Sequence, residues 1–253
     1  MAEIREVKSI PTLMQISYND LETEYNAIVA AENEKAALDT TYTAPGDSLG
    51  RFTVWMEEKV TEAIAVADKY GYDGINVIYS GKNPLSLQDE GKADLTARQA
   101  SFFGKIDEWM EANPDKLIFF EGTPKYILDD TPVLENAKFI IIQAESCTTT
   151  YELLYTVNQN ISSAVPTDRF VVGVTTISVT DPTDTRGQFN TKDENGNTLT
   201  AITGAAYWCA EPAENFSKAG ICVDNAQVDY YNITHVYSNI GKAISIMNPS
   251  PLK

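Results

Sequence analysis

Histidine is nearly absent: the 253 residues contain one, His235. A His-rich metal centre is excluded, and no base or metal partner stands beside that residue, which reads as structural or exposed. Cysteine is scarce too. Cys147, Cys209 and Cys222 are odd in number and far apart, unlike the close, paired spacing of a disulfide framework or a zinc site. They read as small buried side chains. Basic residues are few, 19 against 36 acids, for a formal net charge of −17. Such a surface repels phosphate backbones and anionic membranes, which excludes nucleic acid as a partner. No apolar run reaches the ~18 residues of a membrane span. No Gly-rich turn follows the first strand, so the usual nucleotide and dinucleotide sites are excluded, and neither a cofactor nor a metal is expected. The opening Met1-Ala2-Glu3-Ile4-Arg5-Glu6 does not read as a signal peptide. That fits a cytoplasmic protein or one whose leader lies outside this sequence. Asn160, Asn215 and Asn232 begin glycosylation-acceptor patterns, which are short enough to arise by chance.

What is present is a regular alternation. Length and an apolar content of 43% suit one α/β domain over 1–253. Apolar runs of strand length lie at Leu13–Ser17, Gly74–Tyr79, Leu117–Glu121, Phe139–Ala144, Phe170–Ile177 and Ala219–Val223. They are continuous rather than alternating, the pattern of strands buried on both faces of a parallel sheet. Helical periodicity separates them. After the first strand, Asn19 or Asp20 is placed to cap a helix with Leu21, Tyr25, Ile28 and Val29 on one face. Further helices are expected over Trp55–Tyr70, Ala97–Asn113, Thr150–Gln159, Leu199–Cys209 and Ile233–Met247. The polar stretch Asp181–Thr198 is long for a connection, and Asn195-Gly196 marks a hairpin within it. Strand–helix repetition of this kind points to a parallel α/β fold. Six strands are counted where a closed (β/α)8 TIM-type barrel has eight. The expectation is a barrel incomplete at its N-terminus, with exposed edge strands that favour a homodimer.

One segment carries chemistry. A helix ends near Tyr70, and Asp73-Gly74 turns into the second strand, which reads Asp73-Gly74-Ile75-Asn76-Val77-Ile78-Tyr79-Ser80. A plain turn explains Asp-Gly alone. The whole frame resembles the signature strand of family 18 glycoside hydrolases, the chitinase and endo-β-N-acetylglucosaminidase family, whose pattern is Asp-Gly-x-Asp-x-Asp-x-Glu, often with Tyr before the Glu. The opening Asp-Gly, the apolar spacers and Tyr79 match. The inner acids are replaced by Asn76, Ile78 and Ser80. The segment Asp229-Tyr230-Tyr231-Asn232, followed by 241–249, resembles the last strand and closing helix of the branch found in Bacteroidetes glycan-utilisation gene clusters. The resemblance covers most of the chain, from the third barrel strand onward; the family's first two strands have no counterpart.

The resemblance implies a barrel that handles N-acetylglucosamine-containing glycans. In the family, the last Glu of the pattern protonates the leaving oxygen, and the preceding Asp orients the substrate's acetamido group. Strand alternation turns Asn76, Ile78 and Ser80 to one face, the barrel interior. Serine is no useful proton donor near neutral pH, and isoleucine cannot hydrogen-bond an acetamido group. The family's tyrosine at the end of strand six would fall near Ala144-Glu145, where no Tyr stands. The catalytic set is therefore expected to be empty. Strand ends would carry a binding site: Tyr18, Asn19 and Asp20; Asn76, Ser80, Lys82 and Asn83; Glu121; Gln143 and Glu145; Asp224, Asn225 and Gln227. The substrate-binding candidates are Asn76, Ser80, Glu121, Gln143, Glu145, Asp224 and Asn225. Trp208, Tyr207 and Phe189 could supply stacking faces, though core positions suit them equally. Three functions fit: a non-catalytic glycan binder, a hydrolase with acids relocated to Glu121 and Glu145, or an assembly domain without ligand. The resemblance implies a glycan as ligand, protein partners of a glycan-uptake complex, and a place at the cell surface, as an outer-membrane lipoprotein, or in the periplasm.

Overall fold

The computed structural model describes residues 10–81, 83–128, 131–177, 183–184, 186–193, 195–231 and 236–249. Expectations for His235, Lys82, the Asn232 acceptor and the first turn of the closing helix lie outside those residues. The chain forms two compact units, Met1–Lys138 and Phe139–Lys253.

In the first unit, β1 (Leu13–Ser17) leads into α1 (Tyr18–Leu38) and α2 (Leu49–Lys69), then β2 (Gly74–Tyr79), α3 (Asp89–Ala112), β3 (Leu117–Gly122) and the short α4 (Pro132–Asn136). The three strands are parallel, β1 pairing with β2 and β2 with β3. The cap of α1 is Ser17, whose side chain accepts from Asp20 N at 3.2 Å, rather than Asn19 or Asp20. Asn19 is spent elsewhere, as shown below. Two helices start earlier than apolar periodicity predicts. Ser48 caps α2, which begins at Leu49, six residues before Trp55, and α3 begins at Asp89, with Asp89 and Glu90 in its first turn where they complement the helix dipole. On α2, Phe52, Met56, Val60 and Ala67 are buried; a fully buried side chain of the larger kind contributes roughly 1.5–3 kcal/mol. Phe102 and Phe103 of α3 and Tyr18 of α1 close around Tyr79. Tyr79 OH accepts from Gln99 Nε2 at 2.6 Å, and burial pushes its phenol pKa up.

Asp107 joins α3 to α4. Its carboxylate accepts from Thr131 Oγ1 and from Val133 N, the latter at 3.1 Å. Burial nevertheless outweighs these bonds and pushes its pKa up to about 6 from 3.8. The folded state therefore holds this proton more tightly than the unfolded chain. The stabilisation is complete below the unfolded pKa and is lost as pH rises from about 3.8 to about 6. Asp107→Asn keeps an acceptor without the charge. Urea midpoints measured from pH 4 to pH 8 should fall across that window in the parent protein. They should change less in the variant, by on the order of 1 kcal/mol after allowance for solvent screening.

In the second unit, β4 (Phe139–Gln143), α5 (Thr150–Gln159), β5 (Phe170–Thr175), the hairpin β6 (Gln188–Lys192) and β7 (Thr198–Thr200), α6 (Ala201–Ala210), β8 (Lys218–Asp224), α7 (Ala226–Tyr230) and α8 (Ser238–Met247) follow in order. Here β4 pairs with β5 and β5 with β8, all parallel. The hairpin expected at Asn195-Gly196 is formed by β6 and β7, antiparallel, with Gly196 at φ +81°. The segment resembling a last strand is not one: 226–230 is helical, and the final parallel strand is β8. Phe189 and Trp208 are buried, and Tyr207 is exposed. Among the described residues, no helix is long and apolar enough to cross a membrane.

Candidate functional site

Strand β2 sorts its side chains as alternation requires. Ile75, Val77 and Tyr79 are fully buried, and Tyr79 meets the helix residues Tyr18 and Phe103. Asn76, Ile78 and Ser80 share the opposite face. Asn76 is 7% exposed, and its Nδ2 donates to Glu121 Oε2 on β3 at 2.8 Å. Its Oδ1 is buried and has no hydrogen-bond partner among the described residues. A buried amide oxygen without a donor forfeits about 1–3 kcal/mol, so this atom asks for a donor from outside the chain.

The end of β2 is fixed by side chains as well as by its pairing with β3. Asn19 Oδ1 accepts from Ser80 N at 2.8 Å while Asn19 Nδ2 donates to Ser80 O at 3.0 Å. Thr123 Oγ1 accepts from Gly81 N at 2.9 Å, and Thr123 N donates to Tyr79 O. Asn19 and Thr123 thus hold the backbone around Ser80. Sequence reading placed Asn19 among the binding candidates and did not consider Thr123; a long-range side-chain bond to backbone leaves no periodic trace. Gly122, at the end of β3, has φ +127°, and a Cβ there would lie 2.0 Å from Tyr79 O. Only glycine lets the two strand ends approach so closely.

In the second unit, Gln143 ends β4 and Glu145 follows two residues on, both partly exposed. Glu145 Oε1 would lie only 2.9 Å from a Cβ on Gly173 of β5, so the bare glycine gives the carboxylate room. Asp224 and Asn225 end β8 and are exposed. Asn225 adopts φ +54°, ψ +37°, a left-handed conformation that Asn tolerates better than most residues. Its Nδ2 donates to Asp224 Oδ2 at 2.7 Å, and its carbonyl accepts from Thr176 Oγ1. The loop before β6 adds a cation that sequence reading passed over. Arg186 is paired with Asp184 at 2.8 Å, and this hydrogen bond raises its pKa, with smaller contributions from Asp224 and Glu145. The candidates therefore gather within each unit: Asn76, Ser80 and Glu121 in the first, Gln143, Glu145, Asp224 and Asn225 in the second.

A family model for glycoside hydrolase family 18, BT1044-like, matches residues 1–246. The chain belongs to this family. No curated protein matches it. Among solved structures it resembles BT1044, in a selenomethionine-labelled Glu-to-Gln form, with 15% identity, a TM-score of 0.53, and coverage of 79% of this chain and 61% of that one. It also resembles the apo endo-β-N-acetylglucosaminidase of Cordyceps militaris, at 15% identity and a TM-score of 0.52, over 95% of this chain and 70% of the fungal one. A doubly substituted form of that fungal enzyme, in complex with fucosyl-N-acetylglucosamine-Asn, matches at 16% identity with a TM-score of 0.50, over the same shares. The chain spans about three fifths of the BT1044 chain, covering 61% of it. These likenesses show the fold of the family 18 chain: α/β, of the TIM-barrel type, with three parallel strands in each unit.

Proposed function

We propose that this family 18 protein binds N-acetylglucosamine-containing glycans at its strand ends and does not hydrolyse them. The observation that carries this reading is the interior face of β2. Asn76, Ile78 and Ser80 stand where the resembled family pattern has acids, and Asn76 presents a buried oxygen that no donor among the described residues satisfies. Substrate-assisted glycosidases need a proton donor at the last of these positions, and a serine hydroxyl does not supply one. Loss of the acids need not cost affinity. In the substituted Cordyceps militaris enzyme, an Asp and a Glu two positions apart are replaced by their amides, and that protein still holds a glycan. A ligand N–H or O–H reaching Asn76 Oδ1 would recover the missing hydrogen bond. Such a binder acts where glycans are met, at the cell surface or in the periplasm, presented by protein partners or a second copy of the chain.

Calorimetry and mass spectrometry on the same samples test this, with chitin oligomers and N-glycans as ligands. Binding without cleavage is expected. Glu121→Gln, which disturbs the bond that orients Asn76, should weaken binding by about tenfold, equivalent to ~1.4 kcal/mol. Release of product would sink the reading. If that release were lost in Glu121→Gln or Glu145→Gln, the acids would have been relocated to those positions.

A further inference from the structure

A cavity of about 510 Å³ lies in the second unit at the opposite end of β8 from Asp224, between α5 and the 211–217 loop that leads into the strand. Its size falls within the range of small-molecule sites, roughly 300–1,000 Å³. Its walls have two characters. Tyr151, 73% exposed, and Leu154, 38% exposed, stand one helical turn apart on α5 and face the cavity. The floor holds Trp208 and Phe216, stacked at 6.0 Å between ring centroids with an interplanar angle of 28°. Lys218 backs that floor: its Nζ sits 4.1 Å from the Trp208 ring centroid and donates to the carbonyls of Trp208 and Glu211. The indole is thereby fixed in place.

Around this apolar lining stand Asn158, Asn215 and Glu214, all exposed, whose side chains make no hydrogen bond among the described residues. Two amides and a carboxylate therefore offer planar donors and acceptors into the same space. An anion is disfavoured there, because the carboxylates of Glu211 and Glu214 face it and the ammonium of Lys218 is spent on backbone carbonyls. A purely apolar ligand would leave the amides idle. A neutral molecule with C–H faces and rows of hydroxyls uses both kinds of wall.

We propose that this cavity is a second saccharide-binding site, at which a sugar ring packs on Tyr151 while its hydroxyls bond Asn158, Glu214 and Asn215. It is built from residues other than those at the strand ends and does not depend on what binds there. The spectrum of the ¹⁵N-labelled protein, titrated with a β-1,4-linked N-acetylglucosamine tetramer, tests it. Amide shifts should move and saturate over 150–158 and 211–216. Tyr151→Ala, at an exposed position, should weaken this response by about tenfold, and Asn215→Ala should weaken it too. Glu121→Gln should leave it unchanged while altering the strand-end response. Absence of shifts around the cavity would overturn the proposal, whether or not the strand ends respond. Cavity shifts that survive both Tyr151→Ala and Asn215→Ala would overturn it as well.

Discussion

Gly122→Ala should cost the first unit about 3 kcal/mol or more and should weaken glycan binding with it. Two costs add at this residue. A φ of +127° lies where L residues are rarely found, and holding a side chain in such a conformation costs on the order of 1–3 kcal/mol. The added Cβ would also stand 2.0 Å from Tyr79 O and 3.2 Å from Ser80 Oγ. Backbone cannot yield there cheaply, because Tyr79 O is held by Thr123 N at 2.9 Å and Ser80 N by Asn19. The strand end must therefore move, and Glu121 is the adjacent residue. Its carboxylate would shift from Asn76 Nδ2, leaving a buried amide with neither atom satisfied. Urea denaturation reads the stability loss, and calorimetry with chitin oligomers reads the binding loss. A variant with unchanged midpoint and unchanged affinity would show that the close approach of β2 and β3 is not needed.

Asp229→Ala should destabilise the second unit by about 3 kcal/mol, the upper end for hydrogen bonds to a charged group. Asp229 is 4% exposed. Its carboxylate accepts from Asn239 N at 3.0 Å, Asn239 Nδ2 at 2.8 Å and Ile240 N at 3.0 Å. These donors open α8, whose own N-cap residue, Tyr237, supplies no side-chain bond. A carboxylate from α7 thus acts as the missing cap and meets the positive end of the helix dipole. Alanine would leave the N–H groups of the half-buried first turn without these acceptors. Asp229→Asn retains one oxygen acceptor and should lose roughly half as much. Amide hydrogen exchange along α8 is the direct measurement. Protection that is equal in Asp229→Ala and the parent would remove Asp229 from this role.

Strands were legible in the sequence because strands packed on both faces need unbroken apolar runs. All six lie within two residues of the bounds predicted, and the hairpin at Asn195-Gly196 is where its turn chemistry puts it. Helix starts were less legible. The first turns of α2 and α3 are polar or weakly patterned, and what begins them is a capping hydroxyl at Ser48 in one case and acids near the dipole in the other. The segment around Asp229 was expected to be a strand from its resemblance to the last strand of the family branch, yet 226–230 is helical. In the fold its carboxylate is fixed by donors ten and eleven residues away, in a helix.

By itself, the sequence carried the α/β class, which depends on residue type and local period, and the resemblance of 73–80 to the family 18 frame. The tertiary structure alone decided which polar groups are spent and which are left open. Asn19 is consumed by Ser80, 61 residues away; Asn76 is half satisfied by Glu121, 45 residues away; and Tyr151 and Asn215 meet on one cavity. Hydrogen bonding and burial depend on distance in space, and the spacing of residues along a chain does not carry it.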